Sequence, residues 1–214
     1  MKSELFLNIL PSSQARVWKI FLPHFKKLDS LDFYLAGGTA LALQIGHRCS
    51  VDFDFFSRTK KIGPKVRSWL ERFPDFLLRD FDLDTIHGEL HGVKISFIGA
   101  YRYPCIHKPI VVQGVKLADI SDLALMKLLA LTHRAAIRDY IDLAAILRDH
   151  MSLQEILNLS QKKYSKTFNA LIVLKSLISF EDISDPEDMP LMFDKDLSRR
   201  WKIILKDAVK RVSL

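Results

Sequence analysis

The chain has 214 residues, of which 49% are hydrophobic and 27% charged, proportions typical of a folded protein large enough to bury a core. Its apolar runs are too short and too interrupted to cross a bilayer, and the first residues carry Glu4 and Asn8 where a signal peptide needs an unbroken apolar stretch. We therefore expect a cytoplasmic protein with no membrane partner. Cys49 and Cys105 have no metal-binding spacing, which argues against a disulfide scaffold or a zinc site.

The formal net charge is +7, from 32 basic and 25 acidic residues. Such an excess favours an anionic partner, and nucleic acid, nucleotides and acidic surfaces all qualify. The basic residues are spread along the chain, as they are on many solvated surfaces. Charge by itself therefore does not identify the partner.

The apolar periodicity predicts a sequence of mixed elements followed by helices. In chain order the first part is predicted as a helix over Ser12–Leu28, a strand over Phe33–Ala36, a double-glycine turn, a helix over Thr39–Ile45, a strand over Ser50–Phe55, a helix over Pro64–Arg72, strands over Phe76–Phe81, Thr85–Leu90 and Val93–Ile98, and a short strand near Val111. From Asp119 onward the pattern is helical, with about five helices.

This order predicts an α+β protein, in which a mixed sheet flanked by helices precedes a helical half. A boundary falls near Ala118 to Ser121. We expect residues 1–118 to form the α/β core and residues 119–214 to form a helical half that packs against it and completes an active-site cleft.

The segment "LAGGTALALQIGHRCSVDFDFFS", residues 35–57, carries the first candidate site. Gly37 and Gly38 form a turn that opens a helix, whose free N–H groups suit phosphate. In the strand that follows, the period of two places Ser50, Asp52 and Asp54 on one face. Paired carboxylates with substrate phosphates are typical ligands of Mg²⁺. A glycine pair alone is usually only a turn and an Asp-x-Asp is often a solvated strand end, but the two in succession favour a metal-nucleotide site.

The segment "DISDLALMKLLALTHRAAIRDYIDLAAIL", residues 119–147, carries the second candidate site. Lys127 and Arg134 lie on one face of a predicted helix, at positions i and i+7. Lys127 interrupts an apolar run, where burying its charge would be costly without a partner. It either extends its ammonium to solvent or meets an anion. On the next helix, Arg138 and Asp142 could form an intrahelical ion pair.

These two segments, together with "GVKISFIGAYRYP" between them, resemble the AbiEii/AbiGii toxin nucleotidyltransferases, a family within the DNA polymerase β-like nucleotidyltransferase superfamily. The resemblance covers about residues 30–150. It implies a polymerase β-like core followed by a helical half, with a nucleoside triphosphate bound in the cleft.

The resemblance also implies roles for individual residues. Asp52 and Asp54 would hold Mg²⁺, with Mn²⁺ as the alternative metal, and Asp54 is also the nearest candidate for a general base. The nucleotide-binding residues would be Gly37, Gly38, Thr39, Arg48, Lys127 and Arg134. The catalytic residues would be Asp52, Asp54, Lys127 and Asp142, with Asp139 the alternative to Asp142.

The activity implied is transfer of a nucleoside monophosphate from a nucleoside triphosphate to an acceptor, with release of pyrophosphate. Members of this family are toxins of toxin-antitoxin or phage-defence systems, which implies RNA, and tRNA in particular, as the acceptor and a cognate antitoxin as a partner. One position departs from the superfamily pattern, because Ser96 stands where many of these enzymes carry a third carboxylate. Two alternatives therefore remain: a degenerate member that only binds nucleotide or RNA, and an aminoglycoside-type enzyme with a small-molecule acceptor.

The seven histidines show no ligand-like spacing. We interpret them, including His47 and His87, as surface or turn residues.

Overall fold

The computed structural model describes residues 4–57, 62, 64–100, 102–103, 105–165, 168–181, 183 and 189–213. The chain divides into two compact units, residues Met1–Ala118 and Asp119–Leu214.

The first unit combines helices with one mixed sheet. Its helices are α1 (Ser12–Phe21), α2 (Phe25–Ser30), α3 (Gly37–Ile45) and α4 (Pro64–Leu70), and its strands are β1 (Phe33–Ala36), β2 (Phe53–Ser57), β3 (Phe76–Phe81), β4 (Thr85–Leu90), β5 (Val93–Ile98), β6 (Ile110–Val112) and β7 (Val115–Leu117). The strand order across the sheet is β3-β4-β5-β2-β1-β7-β6.

Strand β2 lies in the middle of this sheet and carries the first candidate site. It pairs antiparallel with β1, where Asp54 is opposite Ala36, and parallel with β5, where Asp54 is opposite Ser96. The strand begins at Phe53, later than the predicted start at Ser50. The carbonyl of Asp52 instead accepts a hydrogen bond from the side chain of Thr39, so the segment before Phe53 is tied to α3.

One face of β2 and β5 forms the aromatic core of the first unit. The rings of Phe55 and Phe97 stack with centroids 4.9 Å apart and planes 15° apart. Phe21 of α1 lies 5.5 Å from Phe55, and Trp69 of α4 lies 6.2 Å from Phe97. Because side chains alternate along a strand, this packing leaves Asp54 on the opposite face.

Two local features differ from the sequence-based expectation. The helix predicted over Ser12–Leu28 is broken by a 3-10 turn at Leu22–His24, because Pro23 has no N–H to donate within a continuous helix. Strand β7 was not predicted. It forms a hairpin with β6 through Gln113 and Gly114, both with positive φ.

The second unit is helical. Its helices are α5 (Ile120–Leu131), α6 (Ile137–Asp149), α7 (Leu153–Tyr164), α8 (Ala170–Ile178) and α9 (Lys195–Lys210). The side chain of Asp119 accepts from the N–H of Ser121 and so caps α5, and Ser152 and Glu155 form a capping box on α7; both motifs satisfy N–H groups that a helix start leaves free. Within the described residues, no helix combines the length and apolar character needed to cross a bilayer.

A buried ion pair joins α5 and α7, and it generates a stability prediction. Lys163 Nζ lies 2.7 Å from Asp122 Oδ1, and the two side chains are 2% and 0% exposed. Asp122→Ala leaves the Lys163 ammonium buried without this partner, so the free energy of unfolding should fall by about 3–5 kcal/mol. Urea denaturation followed by circular dichroism measures the change.

The matched control is Asp207→Ala, which removes the carboxylate of an exposed pair with Lys210 on α9. Exposed pairs contribute little, so this variant should change stability by less than about 1 kcal/mol. Equal effects of the two substitutions would contradict the importance of the buried pair.

Candidate functional site

Gly37 and Gly38, which we call the glycine corner, connect β1 to α3. Gly37 has a φ of +68°, a conformation that residues with a Cβ rarely adopt. A Cβ added to Gly37 would lie 2.7 Å from Oδ2 of Asp54, and one added to Gly38 would lie 2.5 Å from Nη2 of Arg48. The absence of side chains therefore lets an acidic and a basic group both approach the backbone at the start of α3.

Thr39 fixes the position of the residues before β2. Its hydroxyl donates to the carbonyl of Asp52 and lies 2.8 Å from the hydroxyl of Ser50. Thr39 and Ser50 are 2% and 6% exposed, so these contacts are shielded from water. The first turn of α3 and the segment leading into Asp52 therefore move as one piece.

Arg48 lies in the loop between α3 and β2 and is only 2% exposed. Its Nη1 donates to the carbonyl of Cys49 at 2.7 Å, which holds the guanidinium in place beside Gly38. A guanidinium held at a helix N-terminus adds positive charge to free backbone N–H groups, an arrangement suited to an anion.

The thiol of Cys49 does not add a nucleophile to this region. Burial raises the pKa of the Cys49 thiol, and the neighbouring Arg48 only partly opposes that effect. A raised pKa keeps the thiol protonated near neutral pH and therefore unreactive.

Asp52 and Asp54 supply the carboxylates. Both are partly exposed, whereas Phe53 and Phe55 beside them are 1% and 2% exposed. In the described part of the chain, no group of three or more histidine, cysteine, aspartate or glutamate side chains is arranged to hold a metal ion. Two carboxylates fit Mg²⁺ nonetheless, because this ion usually takes one or two carboxylates and completes its coordination with phosphates and water.

Lys127 lies in the second unit, in a cluster that we call the lysine cluster: Lys127, Arg134, Asp139 and Asp142. Lys127 Nζ lies 2.7 Å from Asp139 Oδ1 and 2.6 Å from Asp142 Oδ2. Arg134 Nε lies 2.9 Å from Asp139 Oδ2. Of the two alternatives left open by the sequence, the structure shows the second: Lys127 is 7% exposed and meets two carboxylates.

The structure therefore groups the predicted site residues in two places. Six of them lie in the first unit, around the glycine corner: Gly37, Gly38, Thr39, Arg48, Asp52 and Asp54. Three lie in the second unit, in the lysine cluster: Lys127, Arg134 and Asp142. Asp139, predicted only as an alternative to Asp142, contacts both Lys127 and Arg134.

Two features of the histidines were not predicted from the sequence: the burial of His47 and the contact of His87 with Ser96. His47 is 3% exposed, so it is not a surface residue; it directly follows Gly46, the left-handed cap at which α3 ends, which agrees with the alternative that it is a turn residue. His87 is exposed, but Nδ1 of its ring contacts the hydroxyl of Ser96 at 3.1 Å. Pairing between β4 and β5 brings these residues together, and nothing in their sequence spacing indicates it.

A family model described as "Nucleotidyl transferase AbiEii toxin, Type IV TA system" matches residues 21–213. The chain belongs to the AbiEii nucleotidyltransferase toxin family. This confirms the resemblance found in the sequence, and the protein is accordingly a nucleotidyltransferase by family.

Relatives and solved structures agree with this assignment. An uncharacterized protein of Aquifex aeolicus is 40% identical over 158 residues, covering 71% of this chain and 75% of that protein. The nucleotidyltransferase toxin MenT4 of Mycobacterium tuberculosis has a similar structure, with a TM-score of 0.59 and 14% identity over 92% of this chain and 83% of that one. JHP933 of Helicobacter pylori has a TM-score of 0.54 and 19% identity, with 94% of each chain covered. These structural similarities confirm the predicted α+β nucleotidyltransferase fold.

A substitution at the glycine corner has a matched control in the same unit, at the turn between β4 and β5. Gly37 and Gly92 both have positive φ, +68° and +76°, but no atom lies within 4 Å of a Cβ added to Gly92. Alanine at either position therefore incurs the same kind of backbone strain. Only Gly37→Ala also collides with Oδ2 of Asp54, whose side chain must rotate away, so it should lower the free energy of unfolding by about 0.5–1.5 kcal/mol more than Gly92→Ala.

Urea denaturation of the two alanine variants measures this difference. A thermal-shift assay with each of the four nucleoside triphosphates and Mg²⁺ provides a second readout, in which Gly37→Ala should lose the ligand-induced shift and Gly92→Ala should keep it. Identical behaviour in both assays would show that Asp54 is not packed against the corner in solution.

Proposed function

We propose that this protein transfers a nucleoside monophosphate from a nucleoside triphosphate to RNA, with tRNA as the expected acceptor, in an Mg²⁺-dependent reaction. The observation that carries the proposal is the contact between the Asp54 carboxylate and the glycine corner. This close approach supports the proposal, because a carboxylate oxygen that could bind a cation then lies beside a helix N-terminus, which suits phosphate.

The phosphate-binding part of the proposal rests on α3. The helix spans nine residues, and its first N–H groups and its dipole favour an anion at the glycine corner. The buried guanidinium of Arg48 strengthens this preference. Gly37 and Gly38 allow phosphate oxygens to approach the backbone closely, as a Cβ at either position would not.

The metal-binding part rests on donor chemistry. Asp52 and Asp54 would hold Mg²⁺, or Mn²⁺, through carboxylate oxygens, the ligands that both ions prefer. When bound, the ion neutralises charge on the phosphates and favours departure of pyrophosphate.

The chain's own groups contribute mainly by positioning. An acceptor hydroxyl attacks the α-phosphorus, the new oxygen–phosphorus bond forms, and the bond to pyrophosphate breaks. Thr39 holds the segment bearing Asp52 against α3, and Arg48 offsets negative charge on the phosphates. Such fixed groups stabilise the transition state without reorganising during the reaction.

We propose a role in catalysis for Lys127, as the resemblance to the family implies. Asp139 and Asp142 fix the direction of its ammonium, and Arg134 completes the charge balance of the lysine cluster. Asp142 therefore acts as a positioning residue, because its carboxylate contacts Lys127 Nζ directly.

The choice of acceptor and partner rests on charge and family. A net charge of +7 favours a polyanionic acceptor such as RNA over a neutral metabolite. Membership of a type IV toxin-antitoxin family further supports a nucleoside triphosphate as the substrate and a cognate antitoxin as a partner.

A second candidate function is supported by one observation. Ser96 is paired with Asp54 on the adjacent strand, where related enzymes carry a third carboxylate. The absence of this carboxylate favours a noncatalytic protein that binds nucleotide or RNA. A small-molecule acceptor, as in aminoglycoside-type enzymes, is tested by the same experiment as RNA.

The test is a labelling reaction with purified protein, Mg²⁺ and each α-labelled nucleoside triphosphate in turn, with total tRNA or a pool of small metabolites as acceptor. Transfer to tRNA is the expected result. Binding of triphosphate without transfer to either acceptor would favour the noncatalytic function, and label on a metabolite would favour the small-molecule enzyme.

The variant Asp54→Asn isolates the role of the carboxylate. It keeps the shape of the side chain but removes its charge, so kcat should fall at least about 100-fold while the unfolding transition in urea changes little. Asp207→Asn on the exposed face of α9 is the control and should retain full transfer. Unchanged labelling by Asp54→Asn would refute the assignment of this residue.

A further inference from the structure

A row of polar side chains crosses the sheet on the face that bears Asp54. Asp54 on β2 is opposite Ser96 on β5, and Ser96 is opposite His87 on β4. Side chains of directly paired residues lie on the same face of a sheet. The three residues therefore stand side by side on the face opposite the aromatic core.

Ser96, the middle residue of this row, is in hydrogen-bonding contact with His87 at one end of it. Nδ1 of His87 lies 3.1 Å from Oγ of Ser96. His87 is exposed and Ser96 half-buried, whereas the core-facing neighbours Ile86 and Phe97 are both 0% exposed. The pair is thus reachable by a ligand that already lies against Asp54.

The spacing of the strands leaves room for a substrate group within this row. Neighbouring strands are about 4.8 Å apart, so the Cα atoms of His87 and Asp54, two strands apart, are separated by about 10 Å. Ser96 lies midway between them. A hydroxyl held between Asp54 and His87 would meet the hydroxyl of Ser96.

The proposed reaction needs a group that accepts a proton. The attacking hydroxyl must lose its proton as it bonds to phosphorus, and a positioned histidine is the side chain most often used for this purpose. Asp54, the candidate base from sequence, has carboxylate oxygens that the proposed function assigns to a cation.

We propose that Ser96 and His87 together receive the proton of the acceptor hydroxyl. The acceptor oxygen bonds to the α-phosphorus and passes its proton to Oγ of Ser96, while the Ser96 hydroxyl proton moves to Nδ1 of His87. The bond between the α-phosphorus and the leaving oxygen breaks, and pyrophosphate departs with the electron pair. His87 ends as an imidazolium, and Ser96 is regenerated. This inference rests on the proposed function, whose reaction it completes.

Four charged groups lie around His87 on β3, β4 and β5. Asp80 on β3 is the register partner of His87 across a bulge, and its carboxylate offers a negative charge on that side. Glu89, two residues along β4, is held by Arg79 at 3.0 Å, and Lys94 on β5 is the register partner of Glu89. Glu89 carries one negative charge against the two positive charges of Arg79 and Lys94, so together with Asp80 the four groups around the ring sum to zero.

The pair of Ser96 and His87 would explain why a serine can stand at the position where a third carboxylate is expected. A carboxylate there would accept the proton directly. A serine cannot hold a proton as a base by itself, but a serine in contact with a histidine can pass one on, as in hydrolases that pair these residues. The pairing of His87 with Ser96 therefore compensates for the missing acid.

The test compares transfer by His87→Ala, His87→Gln, Ser96→Ala and Ser96→Thr, measured with the RNA acceptor and α-labelled triphosphate. His87→Ala, His87→Gln and Ser96→Ala should each lower kcat about 100-fold, with the KM for the triphosphate and the triphosphate-induced thermal shift unchanged. Ser96→Thr keeps the hydroxyl and should stay within a few-fold of the wild-type kcat. His107→Ala, which removes an exposed histidine from the loop before β6, is the control and should match the wild type.

The pH profile distinguishes a proton-accepting role from a structural one. A proton-accepting role predicts that the wild-type kcat falls at low pH and that this acidic limb is absent from His87→Ala. Wild-type transfer together with unchanged kcat and pH limb in His87→Ala would overturn the inference while leaving the proposed function intact. A wild-type protein that binds triphosphate but transfers nothing would overturn both.

Discussion

The arrangement around the glycine corner depends on one close approach, that of the Asp54 carboxylate to the backbone of Gly37. The contact needs a residue without a Cβ, a positive φ and the antiparallel pairing of β1 with β2 that places Ala36 opposite Asp54. It brings a carboxylate on β2 next to the N-terminus of α3. The proposed site for a cation and phosphates depends on this approach, because a carboxylate ligand and free helix N–H groups are then neighbours.

The charged residues of the glycine corner and of the lysine cluster differ in their exposure to solvent. Around the glycine corner the carboxylates of Asp52 and Asp54 remain partly exposed, as a metal ligand must. In the helical unit Lys127, Asp139 and Asp142 are buried, and Arg134, paired with Asp139, balances the one negative charge that these three leave. Burial of paired charges fixes their geometry, because removing one partner leaves the others desolvated and uncompensated. The lysine cluster therefore presents Lys127 in a defined orientation, which a flexible surface lysine would lack.

The row from Asp54 through Ser96 to His87 contains the position at which this chain departs from the superfamily pattern, where Ser96 replaces a third carboxylate. Ser96 by itself indicates a weakened site. Together with His87 it forms a hydroxyl–imidazole pair one strand away from Asp54. In the reaction that we propose, this pair supplies the proton acceptor that a carboxylate at position 96 would have supplied.

The sequence by itself determined the α+β class, the extents of strands β3 to β5, the glycine corner, and the family to which the chain belongs. These follow from local signals: the period of the apolar residues, glycines that tolerate positive φ, and acids spaced by two on a strand. Only the tertiary structure showed that Asp54 lies against Gly37, that Lys127 meets Asp139 and Asp142, and that His87 contacts Ser96. Each of these contacts joins residues that are distant in sequence, and strand register or helix packing, which no local pattern encodes, decides which of them meet.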